Sequence, residues 1–175
     1  MERVILHGVD DALALLERLG APPRLVRHHE LVVEAANELV TGLPLFASHF
    51  DVRSVLLGAA LHDIGKILHP DEMSAPGSRH EHDGRDLLAK HGLSDLARFA
   101  TTHAQWDDDA LPLEDLLVAL ADKLWKGKRV AALERRIVDR LSTRSGTPSW
   151  EVFTLADEVF ERVAARGDER LARSE

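Results

Sequence analysis

The stretch "GAALHDIGKI", residues 58–67, sets a histidine beside an aspartate inside an apolar, helix-like run. A helix turns about 100° per residue, so residues three and four apart share a face. Val52, Val55, Leu56, Ala59 and Ala60 then form one stripe, with Asp63 in its middle and His62 at its edge. A carboxylate turned toward a core is costly unless it is ion-paired, hydrogen-bonded or bound to a metal. Arg53 lies too far back on the same helix to be an obvious partner. Asp63 is therefore a buried salt-bridge or capping residue, or, with His62 beside it, part of a metal site.

The other histidines sort by the same rule. Over 23–41, Leu25, Val32, Ala36 and Leu39 make a buried stripe, and His28 and His29 flank its centre line. Both point inward, one as a candidate ligand and the other as a hydrogen-bonding neighbour. Over 79–91, His80 shares a face with Gly84, Leu87, Leu88 and His91, whereas His82 points to the opposite side. His91 sits about 16 Å further along the axis and cannot share a site with His80. In 95–104, His103 falls on the stripe of Leu96, Phe99 and Ala100. Asp122 faces away from the main stripe of its helix, beside Val118, Ala119 and Trp125. Either that helix is buried on two sides or Asp122 is solvated; "LLVALAD" is apolar almost all round, which favours burial. His7, His49 and His69 read as surface residues near element ends.

The remaining pattern is helical nearly throughout. Helices are expected over 10–19, 23–41, 50–64, 79–91, 95–104, 112–127, 130–143 and 148–166. Ser78 and Glu81 form a capping box on paper, Ser94 can cap the next helix, and Thr147 the last, with Pro148 at its first position. The expectation is an all-α bundle of about seven to eight helices in one domain, residues 1–175. The motifs lie in 24–128, and 130–175 forms a helical extension. The 175 residues, with 45% hydrophobic and 30% charged side chains, suit a soluble globular chain. There is no cysteine, which rules out disulfides, thiolate zinc sites and a thiol nucleophile. No run is long enough to cross a membrane, and "MERVILHGVDDALALLE" lacks a signal-peptide layout. A cytoplasmic location is expected. Residues 1–122 carry 10 Lys+Arg against 21 Asp+Glu, and residues 123–175 carry 12 against 9. The acidic part argues against a stable nucleic-acid partner. The basic run "KLWKGKR", 123–129, is either a cationic helix end or a phosphate contact.

The ordered series His28, His62–Asp63, His80, His103, Asp122 resembles the HD superfamily of metal-dependent phosphohydrolases. "RHHELVVEAANEL" is similar to that superfamily's first motif in a register that selects His28 over His29. "LLGAALHDIGK" is similar to its second, "HEHDGRDLL" to its third, "ATTHAQW" to its fourth and "LLVALADKL" to its last. Lys66 stands where mononuclear nucleotidases of the superfamily place a catalytic Glu. The Gly-Tyr-Pro signature of its cyclic-dinucleotide phosphodiesterases is absent, since the chain has no Tyr. The layout is nearest the small bimetallic hydrolases. The resemblance implies one or two divalent transition metals (Fe, Mn, Co, Ni or Zn), one held by His28, His62, Asp63 and Asp122. Asp63 would bridge to a second ion, held also by His80 and His103, with His29 as an alternative ligand. It implies a small phosphorylated, nucleotide-like substrate, with Asp63 and Lys66 central to catalysis. Lys66, one turn past the pair, and Lys123 and Lys126, which follow Asp122, are candidate phosphate contacts, and Trp106, close after His103, is a candidate wall of the substrate pocket. Otherwise Lys66 is a helix C-terminal cation near Gly65. Arg79 and Arg85 are further phosphate candidates. A homodimer is compatible with all of this. The same ligands also support a di-iron oxygenase, and an incomplete site would leave a non-catalytic, metal-stabilised sensor domain.

Overall fold

Two prolines open the helix that carries the first histidines: α2 (Pro23–Thr41) starts with Pro23, whose missing N–H costs nothing in a first turn. The computed structural model describes residues 4–175, and among these every element is helical. Met1–Arg3, where the leader reading begins, lie outside the described residues. Before α2 runs α1 (Val9–Arg18), and after it a 3₁₀ turn over Pro44–His49. Asp51 caps α3 (Val52–Leu61), accepting from the Ser54 amide at 3.2 Å and the Ser54 hydroxyl at 2.7 Å. No membrane-spanning helix is present among the described residues.

α3 stops short of the expected residue 64. After Leu61 the chain passes through His62 and Asp63 into a 3₁₀ turn, Ile64–Ile67. A second such turn, Pro70–Met73, leads to α4 (Arg79–Lys90). The reason for the early stop lies at Gly65. A Cβ there would sit 1.9 Å from the His80 carbonyl oxygen and 2.8 Å from the Gly84 nitrogen. The two backbones touch through paired glycines, which draws Asp63 up against the first turn of α4.

The expected capping box at α4 does not form. Ser78 makes no side-chain cap, and Glu72 takes its place, accepting from the Arg79 amide at 3.2 Å and the His80 amide at 3.1 Å. Glu81 instead accepts from Gln105 Nε2 at 2.7 Å. The expected 95–104 helix is two short pieces, α5 (Ser94–Ala97) and α6 (Phe99–Thr102), with Ser94 inside the first turn. The hydroxyls of Thr101 and Thr102 both bond the Arg98 carbonyl, which competes with regular helix pairing at the break. α7 (Leu113–Leu124) is buried at every position but Glu114 and Lys123, so the two-sided burial inferred from "LLVALAD" holds. α8 (Ala131–Ser145) ends at Gly146, which takes a left-handed φ of 72°. α9 (Ser149–Ala165) begins one residue later than expected, with Pro148 rather than Thr147 at the cap position. A last helix, α10 (Gly167–Ala172), was not expected.

The apolar side chains form two clusters. The larger joins α2, α7, α8 and α9 with Phe46 and Phe50. The smaller joins α1 with Leu88, Leu93 and Ala97. α3 feeds both, through Val55 and Ala59 on one side and Leu57, Ala60 and Leu61 on the other. The C-terminal end of α3 is thus buried from two directions.

α10 lies back over α2. The fully buried Arg170 reaches Glu38 at 2.8 Å and Glu34 at 3.3 Å, and donates to the Val163 carbonyl at 2.8 Å. Arg173 binds both oxygens of Glu34 at 2.8 and 2.9 Å, and its carbonyl accepts from Arg27. A Cβ on Gly167 would lie 2.3 Å from the Gly127 nitrogen, so the helix seats directly on the turn that leaves α7.

Two outcomes follow. Gly65→Ala forces backbone against backbone, and denaturant unfolding is expected to show a loss of about 3 kcal/mol, with metal retention falling in parallel. The Arg173 bond is the main cause holding the Glu34 carboxyl below its ordinary value of 4.5, against a smaller effect of burial. A depressed folded pKa stabilises above the ordinary value and ceases to as pH falls through the folded one. Glu34→Gln should therefore cost up to about 1 kcal/mol at neutral pH, the pair being partly solvent-screened. The gap to wild type should close as the pH drops below 4.5, read by parallel unfolding curves.

Candidate metal centre

Asp63 is 3% exposed and sits at the middle of a ring of imidazoles. Its two oxygens face different groups. Oδ2 lies 3.2 Å from His28 Nε2 and 3.6 Å from His62 Nε2. Oδ1 lies 3.2 Å from His80 Nε2 and 3.3 Å from His103 Nε2. Asp122 joins the first side, its Oδ1 at 3.4 Å from His62 Nε2. Two trios bring one donor atom per residue within 4.8 Å of one another: His28, His62 and Asp122, and His62, Asp63 and His103. His80 is in neither trio but shares Oδ1 with His103.

The rings are held by their other nitrogens. His62 Nδ1 sits 2.9 Å from the Ala59 carbonyl and His103 Nδ1 2.9 Å from that of Phe99. His80 Nδ1 sits 2.6 Å from Glu72 Oε2. Each Nδ1–H donates outward, which leaves Nε2 as a lone-pair donor aimed at Asp63. His28 Nε2, His62 Nε2 and Asp63 Oδ1 are buried without a hydrogen-bond partner. Buried polar atoms are rarely left so. A cluster of lone pairs facing one another fits a cation between them.

Electrostatics agree with that sign. Burial works against ionising Asp63, but His62, His103, His28 and His80 around it hold the carboxyl well below the usual carboxylate range. Burial likewise opposes ionisation of Asp122, and His62 with Lys123 outweighs it. Burial pushes the His62 imidazole down, toward the neutral form a ligand needs. His80 and His103 would be lowered by burial too, but contact with Asp63 lifts both.

His29 stands apart. Its Nδ1 is 3.3 Å from the Ala59 carbonyl, the acceptor used by His62, and its ring packs 5.0 Å from that of His62. It is the neighbour, and His28 faces the carboxylate. His82 is exposed and His91 half-buried, away from the ring. His69 is bonded to Asp83 rather than free on the surface. Lys66 Nζ lies 2.5 Å from Asp63 Oδ2 and Lys123 Nζ 2.8 Å from Asp122 Oδ2. Lys66 belongs to the 3₁₀ turn after the pair, not to a helix end.

Beside His28 opens a cleft of about 220 Å³. Its cations are Arg24, Lys66 and Lys126, and its apolar wall is Leu25, Met73 and Trp125. Ser174, beyond α10, also lines it. Trp106 does not line this cleft; it packs half-buried against the larger core cluster. Arg79 is paired with Glu72 and Asp71, and Arg85 with Asp86, and neither lines this cleft.

Three contributors escaped the sequence reading. Glu72 orients His80 from a turn eight residues away. Glu81, read as a cap, ties α4 to Gln105, two residues past His103. The fully buried Asp115 binds Arg98 at 2.9 Å and Thr102 at 2.8 Å, fixing α6 to α7. Only Asp115 carried a signal, as an acid within the all-round apolar α7.

The comparisons with known proteins bear on the same stretch. Neither a curated protein nor a solved structure matches the chain. The family profile described as HD domain matches residues 25–125, more than half of the sequence and the whole span from His28 to Asp122. Families of this type bind divalent metals and are mostly metal-dependent hydrolases. On that match, and with the ring of His and Asp side chains it spans, the chain belongs to the HD-domain family.

Proposed function

We propose that the chain is a metal-dependent phosphohydrolase that cleaves a phosphoester or phosphoanhydride of a nucleotide-like small molecule. The observation that carries this reading is the division of Asp63, with one oxygen turned to His28 and His62 and the other to His80 and His103. The N···O gaps of 3.2–3.6 Å lie at or beyond the long end of an N–H···O bond. They suit ligands about 2.1 Å from a shared ion, which lie roughly 3.0–3.4 Å apart around it. His28, His62, Asp122 and Asp63 Oδ2 would hold one ion; Asp63 Oδ1, His80 and His103 would hold the other. Imidazole and carboxylate donors suit Fe, Mn, Co, Ni or Zn. Such ions, when bound, lower the pKa of a coordinated water and neutralise charge growing on phosphoryl oxygens.

The chain's own residues supply the rest. Lys66 lines the cleft and reaches Asp63, so its ammonium can meet a phosphoryl oxygen at the metal end. Lys123 pairs with Asp122 at the metal centre but does not line the cleft. The acidic balance of residues 1–122 is no obstacle, because two divalent ions reverse the local sign. Residues 130–175 belong to the same working unit, since α9 completes the larger core and α10 covers α2. We place the protein in the cytoplasm.

Phosphate release from a nucleotide panel with Mn²⁺ should proceed equally with and without oxygen. Asp63→Ala should lower it by about a thousandfold or more, as expected when metal charge stabilisation is lost. Oxygen uptake without phosphate release would replace the hydrolase by a di-iron oxygenase. A chain that binds no metal would be a helical interaction domain. Glu72→Ala removes the acceptor that orients His80. It should weaken the second ion about 10- to 100-fold and leave the His28 side unchanged, read as loss of one phase in a metal titration.

A further inference from the structure

The cleft beside His28 carries more positive charge than a single phosphoryl group at the metals would use. Lys66 stands at its inner end, with 19% of its side chain exposed, and is bonded to Asp63. Arg24 lies one helical turn before His28 on α2 and is exposed, its only polar side-chain contact among the described residues the Ser74 hydroxyl at 3.5 Å. Lys126 lies four residues past Asp122, exposed and with no ion-pair or hydrogen-bond partner among the described residues. No carboxylate lines the cleft. Two cations on separate elements therefore face the opening unneutralised, outside the contacts that Lys66 makes at the metal end.

The other walls recognise very little. No Asn, Gln, Asp or Glu is available there to read the edge of a base. Trp125 is only 8% exposed and packs edge-on against His28 at 5.1 Å, so it offers almost no ring face for stacking. The volume of about 220 Å³ also falls below the ~300 Å³ at which pockets begin to enclose drug-sized ligands.

Resting on the phosphohydrolase reading above, we infer that the cleft seats a chain of at least two phosphoryl groups through Arg24, Lys66 and Lys126 and reads neither base nor sugar. The ligand is a phosphoanhydride whose organic end lies outside the cleft. Arg24 and Lys126 bind the second group and hold the first against the metal end. Neither residue touches the carboxylate–imidazole ring, so their loss leaves metal binding intact.

The test is equilibrium binding to the full metal-loaded chain, using analogues that resist hydrolysis. Methylenediphosphonate and methylphosphonate measure the value of a second group; the β,γ-methylene analogues of ATP and GTP measure the value of the base. The double variant Arg24→Ala/Lys126→Ala is assayed beside wild type, with metal content determined for both. Wild type should hold methylenediphosphonate at least about tenfold tighter than methylphosphonate, and the two nucleotide analogues within about twofold of each other. The double variant should lose about tenfold toward the two-group ligand and little toward methylphosphonate, with full metal content. An undiminished preference in the double variant would mean that the ions alone grip the ligand, and would overturn the assignment. So would a tenfold preference for one base. Failure of the hydrolase reading looks different: wild type then lacks metal or phosphate release, whatever the two cations do.

Discussion

A buried carboxylate with an imidazole pair on each side is the constraint on which this structure turns. Asp63 is too deep to be hydrated, and one lysine is its only cationic partner outside the imidazoles among the described residues. Lys66 meets one of its oxygens, and Oδ1 is left without a hydrogen-bond partner. An arrangement of lone pairs directed at one another is unfavourable as packing alone. It becomes favourable when cations share those lone pairs, and that is the physical basis for reading the ring as a metal centre.

The scaffold around it holds direction more than bulk. α3 ends early because Gly65 must pass against Gly84, and that contact carries Asp63 to His80. The carbonyls of Ala59 and Phe99 and the carboxylate of Glu72 each take a histidine Nδ1, so that Nε2 faces inward. Glu81 with Gln105, and Asp115 with Arg98 and Thr102, fix the segments that bring His80 and His103 together. These outer groups orient the histidines in the way that outer partners orient metal ligands in metalloproteins generally. α10 adds a peripheral layer: Arg170 within it and Arg173 just after it pin it to Glu34 and Glu38 on the helix that carries His28.

Much of this was legible in the chain before any coordinates. Helical periodicity put His28, His62, Asp63, His80 and His103 on inward faces, and all five converge. The all-α class and the seven longer helices follow the same periodicity. Asp122 sat off the main stripe of its helix, and only the all-round apolar character of α7 hinted that this side too is buried. Local capping rules did worse. Ser78, Ser94 and Thr147 have the right chemistry for caps, yet a more distant carboxylate, a kinked segment and a one-residue shift superseded them. Glu72 was invisible because nothing in a 3₁₀ turn has a period to read. Trp106 was placed near the site by proximity to His103 in sequence, but its ring goes to the core, and Trp125 lines the cleft instead. α10 was missed because six residues beginning with glycine give too short a pattern.

The central claim is that Asp63 joins two ions. The most direct measurement is a crystal structure of the metal-loaded chain with anomalous scattering recorded at the edge of the bound element. The account predicts two peaks about 3.5–4 Å apart, one near His28, His62 and Asp122, the other near His80 and His103, with one Asp63 oxygen on each. A single peak with His80 and His103 still bonded to Asp63 alone, or no peak within the ring, would contradict it.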